Sequence, residues 1–132
     1  MQAFAAIALA AVACDGELER REAQGLRQQL ENRTPYADLS EEAMGDLLDQ
    51  LLELVRDQGC GALIQVAVPV LSPPQRETAL AMAALLTRAD QQVSPQESTF
   101  LQQLGQLMEL EAGRAEQILE VIAVLNRDSL AG

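Results

Sequence analysis

The chain opens on an almost unbroken apolar run, Gln2 to Cys14, that stops at Asp15-Gly16. Such a run predicts a helix buried on most of its sides. Helical spacing then puts Leu18, Ala23, Leu26 and Leu30 on one face of a second helix, from about Glu19 to Asn32. A loop follows through Thr34-Pro35-Tyr36, since proline disfavours helix in the residue before it. Ser40-Glu41-Glu42-Ala43 opens a third helix, with Ser40 as cap and acids in the positive first turn. It reaches about Gln58 and ends at Gly59-Cys60-Gly61. A shorter apolar helix, Ala62 to Leu71, carries Pro69 late in its run and is expected to kink or break there. Ser72-Pro73-Pro74 starts a fifth helix, running to about Ala89. Ser94-Pro95-Gln96-Glu97 starts a sixth with a capping box. A break near Glu111-Ala112-Gly113 precedes a last helix ending near Arg127. The expectation is an all-α, compact bundle of about seven helices, one domain over residues 1–132.

Composition sharpens this picture. The 132 residues are 48% hydrophobic but only 2% aromatic, so the core is built from Leu, Ala, Val and Ile. That favours closely approaching helices over a sheet. The net charge is -11 and all nine cations are arginines. Such a surface repels phosphate backbones and anionic membrane surfaces, which argues against nucleic-acid or membrane partners. Cations and basic protein patches are the natural partners. With no histidine, the commonest general base and transition-metal ligand are both missing. Cys14 and Cys60 cannot form a four-ligand zinc site alone. Each lies in or beside an apolar helical run, the setting of a buried free thiol. A Cys14–Cys60 disulfide is also compatible with the sequence.

Ala11-Val12-Ala13-Cys14 has the form of a lipobox, which would make the chain a lipoprotein anchored through Cys14. No Lys or Arg precedes the apolar stretch, where a signal peptide needs positive charge. The same segment also has an internal counterpart. At an offset of about 75 residues Ala8 falls on Ala83, Asp15 on Asp90, Leu18 on Val93, Glu22 on Glu97 and Leu26 on Leu101. The halves, about 1–32 and 73–110 with the helix 40–58 between them, suggest two pseudo-symmetric helical hairpins.

The repeated unit, Asp-Gly-x-Leu-x-x-x-Glu in its first copy, has the spacing of the second half of an EF-hand calcium loop. Earlier ligand positions, however, fall on Ala11 and Ala13, and in the second copy on Leu86 and Arg88. Gln91 there replaces the glycine. Two side-chain ligands cannot surround a cation that takes about six to eight oxygens, so an EF-hand is rejected. One reading of the unit is a helix–turn–helix corner. Asp15 and Asp90 would bind free amides, and Glu22 and Glu97 would favour the helix N-termini. The other is a weak, water-rich divalent-cation site (calcium or magnesium) at Asp15, Glu22, Asp90 and Glu97, joined by Glu17 and Glu19.

On the third helix Glu42, Asp46, Asp49, Glu53 and Asp57 recur at steps of three or four, within a strip of roughly 80°. Leu47, Leu48, Leu51, Leu54 and Val55 centre on the opposite side, toward the core. The strip is either a solvated face that keeps the protein soluble or a docking face for an Arg/Lys-rich partner.

The two copies run Ala10-Ala11-Val12-Ala13-Cys14-Asp15-Gly16-Glu17-Leu18-Glu19-Arg20-Arg21-Glu22 and Leu85-Leu86-Thr87-Arg88-Ala89-Asp90-Gln91-Gln92-Val93-Ser94-Pro95-Gln96-Glu97. In them the chain resembles the TerB family of tellurite-resistance proteins, whose helical domain is also similar to the N-terminal region of DjlA-type co-chaperones. The resemblance implies a helical fold with internal pseudo-symmetry, an acidic surface proposed to bind metal ions at Asp15, Glu22, Asp90 and Glu97, and a stress-resistance role. Gln91 departs from the family's glycine. Tellurite is an anion, and capture by so negative a surface is electrostatically unfavourable. The expectation is a cytoplasmic, non-catalytic scaffold or sensor, monomeric or weakly dimeric, that binds a basic protein partner, a divalent cation or both. A carboxylate-based enzyme would need two carboxylates set in one cleft with separated pKa values.

Overall fold

The computed structural model describes residues 2–13, 18–87 and 95–125, with side chains from 98 onward in the last segment. Its helices are α1 (Gln2–Ala13), α2 (Arg20–Glu31), α3 (Glu41–Gln58), α4 (Cys60–Ala67), α5 (Pro73–Thr87), α6 (Pro95–Leu107) and α7 (Arg114–Leu125). Short 3-10 turns at Tyr36–Asp38 and Val68–Val70 complete it, and no strand occurs among the described residues. The all-α expectation holds.

The apolar opening run becomes the centre of the molecule. Ala5, Ala6, Ile7, Ala8, Leu9 and Ala10 of α1 are all buried. α5 covers α1 most extensively, followed by α4, α3 and α2. α5 likewise buries Ala79, Ala83 and Ala84, and small side chains on both helices let their axes approach closely. The paired positions Ala8 and Ala83, and Leu26 and Leu101, are buried in both members. Cleavage before Cys14 would therefore remove the helix around which the core is assembled.

Local chemistry sets the helix ends. Ser40 Oγ accepts a 3.0 Å hydrogen bond from the Ala43 amide at the start of α3. At the start of α5, Ser72 Oγ accepts from the Gln75 amide and Gln75 Oε1 accepts from the Ser72 amide at 2.8 Å. Gly59 joins α3 to α4 at φ 90° and ψ 155°, a backbone region essentially reserved for glycine. The Pro69 break appears as the end of α4 at Ala67 and the turn Val68–Val70. Arg76 ties two chain segments together. Its Nε donates to the Val68 carbonyl at 3.0 Å and its Nη1 to the Met108 carbonyl at 3.3 Å, binding acceptors just past the ends of α4 and α6. Gly105 brings α6 against α7, since a Cβ there would lie 3.1 Å from the Ala115 Cβ.

Two sequence expectations are corrected. Leu54 is 38% exposed, at the edge of a surface groove instead of in the core. Cys60 is disulfide-bonded, not a free thiol; the sequence has one other cysteine, Cys14, outside the described residues. Cys60 Sγ sits 3.9 Å from the Ala10 carbonyl oxygen, a packing contact because a disulfide sulfur has no proton to donate. An apolar setting suits a thiol and a disulfide equally, so polarity along the chain could not separate them.

Candidate functional site

Of the acidic corner set, Asp15, Glu17 and Asp90 lie outside the described residues. Glu97 belongs to the first turn of α6, and its side chain is outside them as well. Glu19 and Glu22 are described, at the start of α2. Glu22 Oε1 accepts a 3.1 Å hydrogen bond from the Glu19 amide, which satisfies one of the free donors of that helix end. This is the corner role expected of Glu22, performed through local geometry. Among the described residues no three His, Cys, Asp or Glu side chains come together as a metal site.

The third helix delivers its acidic face. Glu42, Asp46, Asp49, Glu53 and Asp57 are all exposed, whereas Met44, Leu47, Leu48, Leu51 and Val55 are buried on the other side. None of the five carboxylates joins a salt bridge among the described residues. Asp46, Asp49, Glu53 and Arg56 border a shallow depression of about 380 Å³. A face with this density of negative charge attracts cationic groups, and the attraction weakens as salt rises.

Two further concavities were not foreseen. A cleft of about 540 Å³ lies where the start of α1 meets the Thr34-Pro35-Tyr36 loop and the start of α5. The Thr34–Pro35 peptide is cis. Phe4 and Tyr36 form one wall, their ring centroids 6.3 Å apart and their planes inclined at 37°. The Arg33 guanidinium carbon lies 5.8 Å from the Phe4 ring centroid, a cation–π contact. The Tyr36 hydroxyl accepts a 3.2 Å hydrogen bond from the Ala5 amide. Burial pushes the Tyr36 pKa above its ordinary 10.0, outweighing the opposing pull of that bond. The second concavity, an apolar groove of about 460 Å³, runs between the start of α1, α3 and α4. Arg33 and Tyr36 escaped the sequence reading because the only local signal there, Thr34-Pro35, reports a loop and not what packs against it.

Comparison with known proteins gives a family match: the family model described as tellurite resistance protein TerB matches residues 1–120. The search of curated proteins gives no match, and that of solved structures gives none.

Proposed function

Since the chain belongs to the TerB family of tellurite-resistance proteins, we propose that it is a non-catalytic stress-response module whose acidic α3 face docks a basic protein partner. The observation that carries the reading is the set of five exposed carboxylates on one side of α3, none in an ion pair among the described residues. Leaving like charges three and four residues apart costs helix stability, and a cationic partner removes that cost. An Arg/Lys-rich helical peptide is the direct probe. Binding that falls steeply with salt and disappears in the Asp46→Asn, Asp49→Asn, Glu53→Gln variant supports the docking face. Binding that ignores both overturns it.

The same reading gives the corners, Asp15, Glu22, Asp90 and Glu97 with Glu17 and Glu19, a weak affinity for calcium or magnesium. Titrating either ion to millimolar concentration while following amide shifts tests it, and silence at Asp15 and Asp90 would remove the metal from the proposal. No described helix is long and apolar enough to cross a membrane. A cytoplasmic location is part of the proposal, and Cys60 reports on it. Disulfides are rare in a reducing cytoplasm, so the bonded Cys60 weighs against that location. Rapid alkylation of unstressed cells decides: a Cys60 trapped as a thiol supports the cytoplasm, and a bonded Cys60 moves the protein to an oxidising compartment.

A further inference from the structure

Two features of the cleft beside α1 set it apart from the rest of the molecule. The chain has only two phenylalanines and one tyrosine, and Phe4 and Tyr36 both stand at this cleft. Acids outnumber arginines twenty to nine over the whole chain, yet among the described residues no carboxylate lines the cleft and Arg33 does. Its polar rim also favours donors. Gln75 Oε1 accepts from the Ser72 amide, which leaves the side-chain NH2 of Gln75 available as a donor. Asn32 Nδ2 gives one hydrogen to the Gln28 carbonyl and keeps a second. A guanidinium and two amide donors above aromatic and aliphatic walls suit an oxyanion carried on an apolar body.

The apolar groove supplies the place for that body. Ala3 and Val70 line both concavities, so the groove continues the cleft. Of the nine described residues that line the groove only Gln2 is polar. Val66 and Val70 are 69% and 68% exposed, and Leu54 edges the same groove. Side chains this apolar and this accessible, aligned in one channel, mark a binding surface.

We propose that cleft and groove together bind a single-chain amphiphile with an anionic head, of the long-chain carboxylate class, its head at Arg33 and its tail along Val70, Val66 and Leu54. The net charge of -11 repels anions at long range, but over a Debye length of about 8 Å at physiological salt the local guanidinium governs.

The test is a titration of the full chain with dodecanoate below its micellar concentration, followed by amide shifts, with octanoate, dodecanol and dodecylamine alongside. Dodecanoate should perturb Phe4, Arg33, Val66 and Val70 in a saturable way. Each buried methylene adds about 0.8 kcal/mol when fully covered, so in a half-open groove dodecanoate should bind at least ~10-fold tighter than octanoate. Arg33→Gln alters an exposed side chain and should weaken dodecanoate by about fivefold, the range of an exposed charge contact, without changing dodecanol. Val70→Asp, also exposed, should erase the gain from chain length. Overall charge alone would instead favour dodecylamine, so equal or stronger binding of the amine at these residues overturns the proposal. So do Arg33→Gln binding with undiminished affinity, and concentration-dependent shifts of Val66 and Val70 without ligand, which would mean that a second copy covers the groove.

Discussion

Helices α1 and α3 are built on opposite principles. α1 has no charged residue and no acid in its first turn, and its interior residues touch no water. Its support comes from other parts of the chain: α5, α4 and α3 cover it, and the Tyr36 hydroxyl accepts a hydrogen bond from the Ala5 amide in its first turn. α3 carries its own instructions, with Ser40 capping its start, acids in its first turn, Gly59 ending it and one apolar face buried. A helix made by its surroundings fails when the packing fails, whereas a helix made by its sequence loses stability in small separable portions.

The most damaging change to this contrast is Leu9→Ala. Leu9 is fully buried in α1, and the cavity should lower unfolding free energy by about 3–5 kcal/mol in urea titration. Leu54→Ala on α3, at 38% exposure, should cost below ~1.5 kcal/mol. Equal losses would erase the distinction. Tyr36→Phe removes the buried hydrogen bond from the Ala5 amide and should cost about 0.5–1.5 kcal/mol. The same residue gives stability a pH signature. Its folded pKa lies above the unfolded value of 10.0, so the unfolded chain loses the proton first and stability falls as pH rises beyond 10.0 toward the folded value. Alkaline unfolding of the phenylalanine variant should lack that component.

Gly59→Ala should cost about 1–3 kcal/mol through backbone strain alone, because open space surrounds the site. Gly61→Ala, inside α4 and equally uncrowded, should be stabilising by about 0.5–1 kcal/mol. Ser40→Ala should remove about 1 kcal/mol, read as a lower thermal midpoint. Smallest of all, Glu53→Gln should raise stability by a few tenths of a kcal/mol by relieving repulsion from Asp49 and Asp57, an effect that high salt abolishes.

The same contrast explains what the sequence could reveal. The limits of α3, the cap at Ser72 and the break at Pro69 are local events, settled by residues within one helical turn, and all were legible. The role of Tyr36 toward Ala5 spans 31 positions and that of Arg76 toward Met108 spans 32, so no window of neighbouring residues contains them. The bonded state of Cys60 was misread for the same reason. The carboxylates of α3 were legible as a face because one helix carries them all. The cleft was not, since Phe4, Arg33 and Val70 come from three separate stretches of chain.

The burial of α1 also dictates an order of events during synthesis. Every helix that covers it is translated later, and α5, its main neighbour, ends only at Thr87. Until that point the growing polypeptide carries an uncharged, water-averse segment covered at most by α2, α3 and α4, so folding of the centre is completed late.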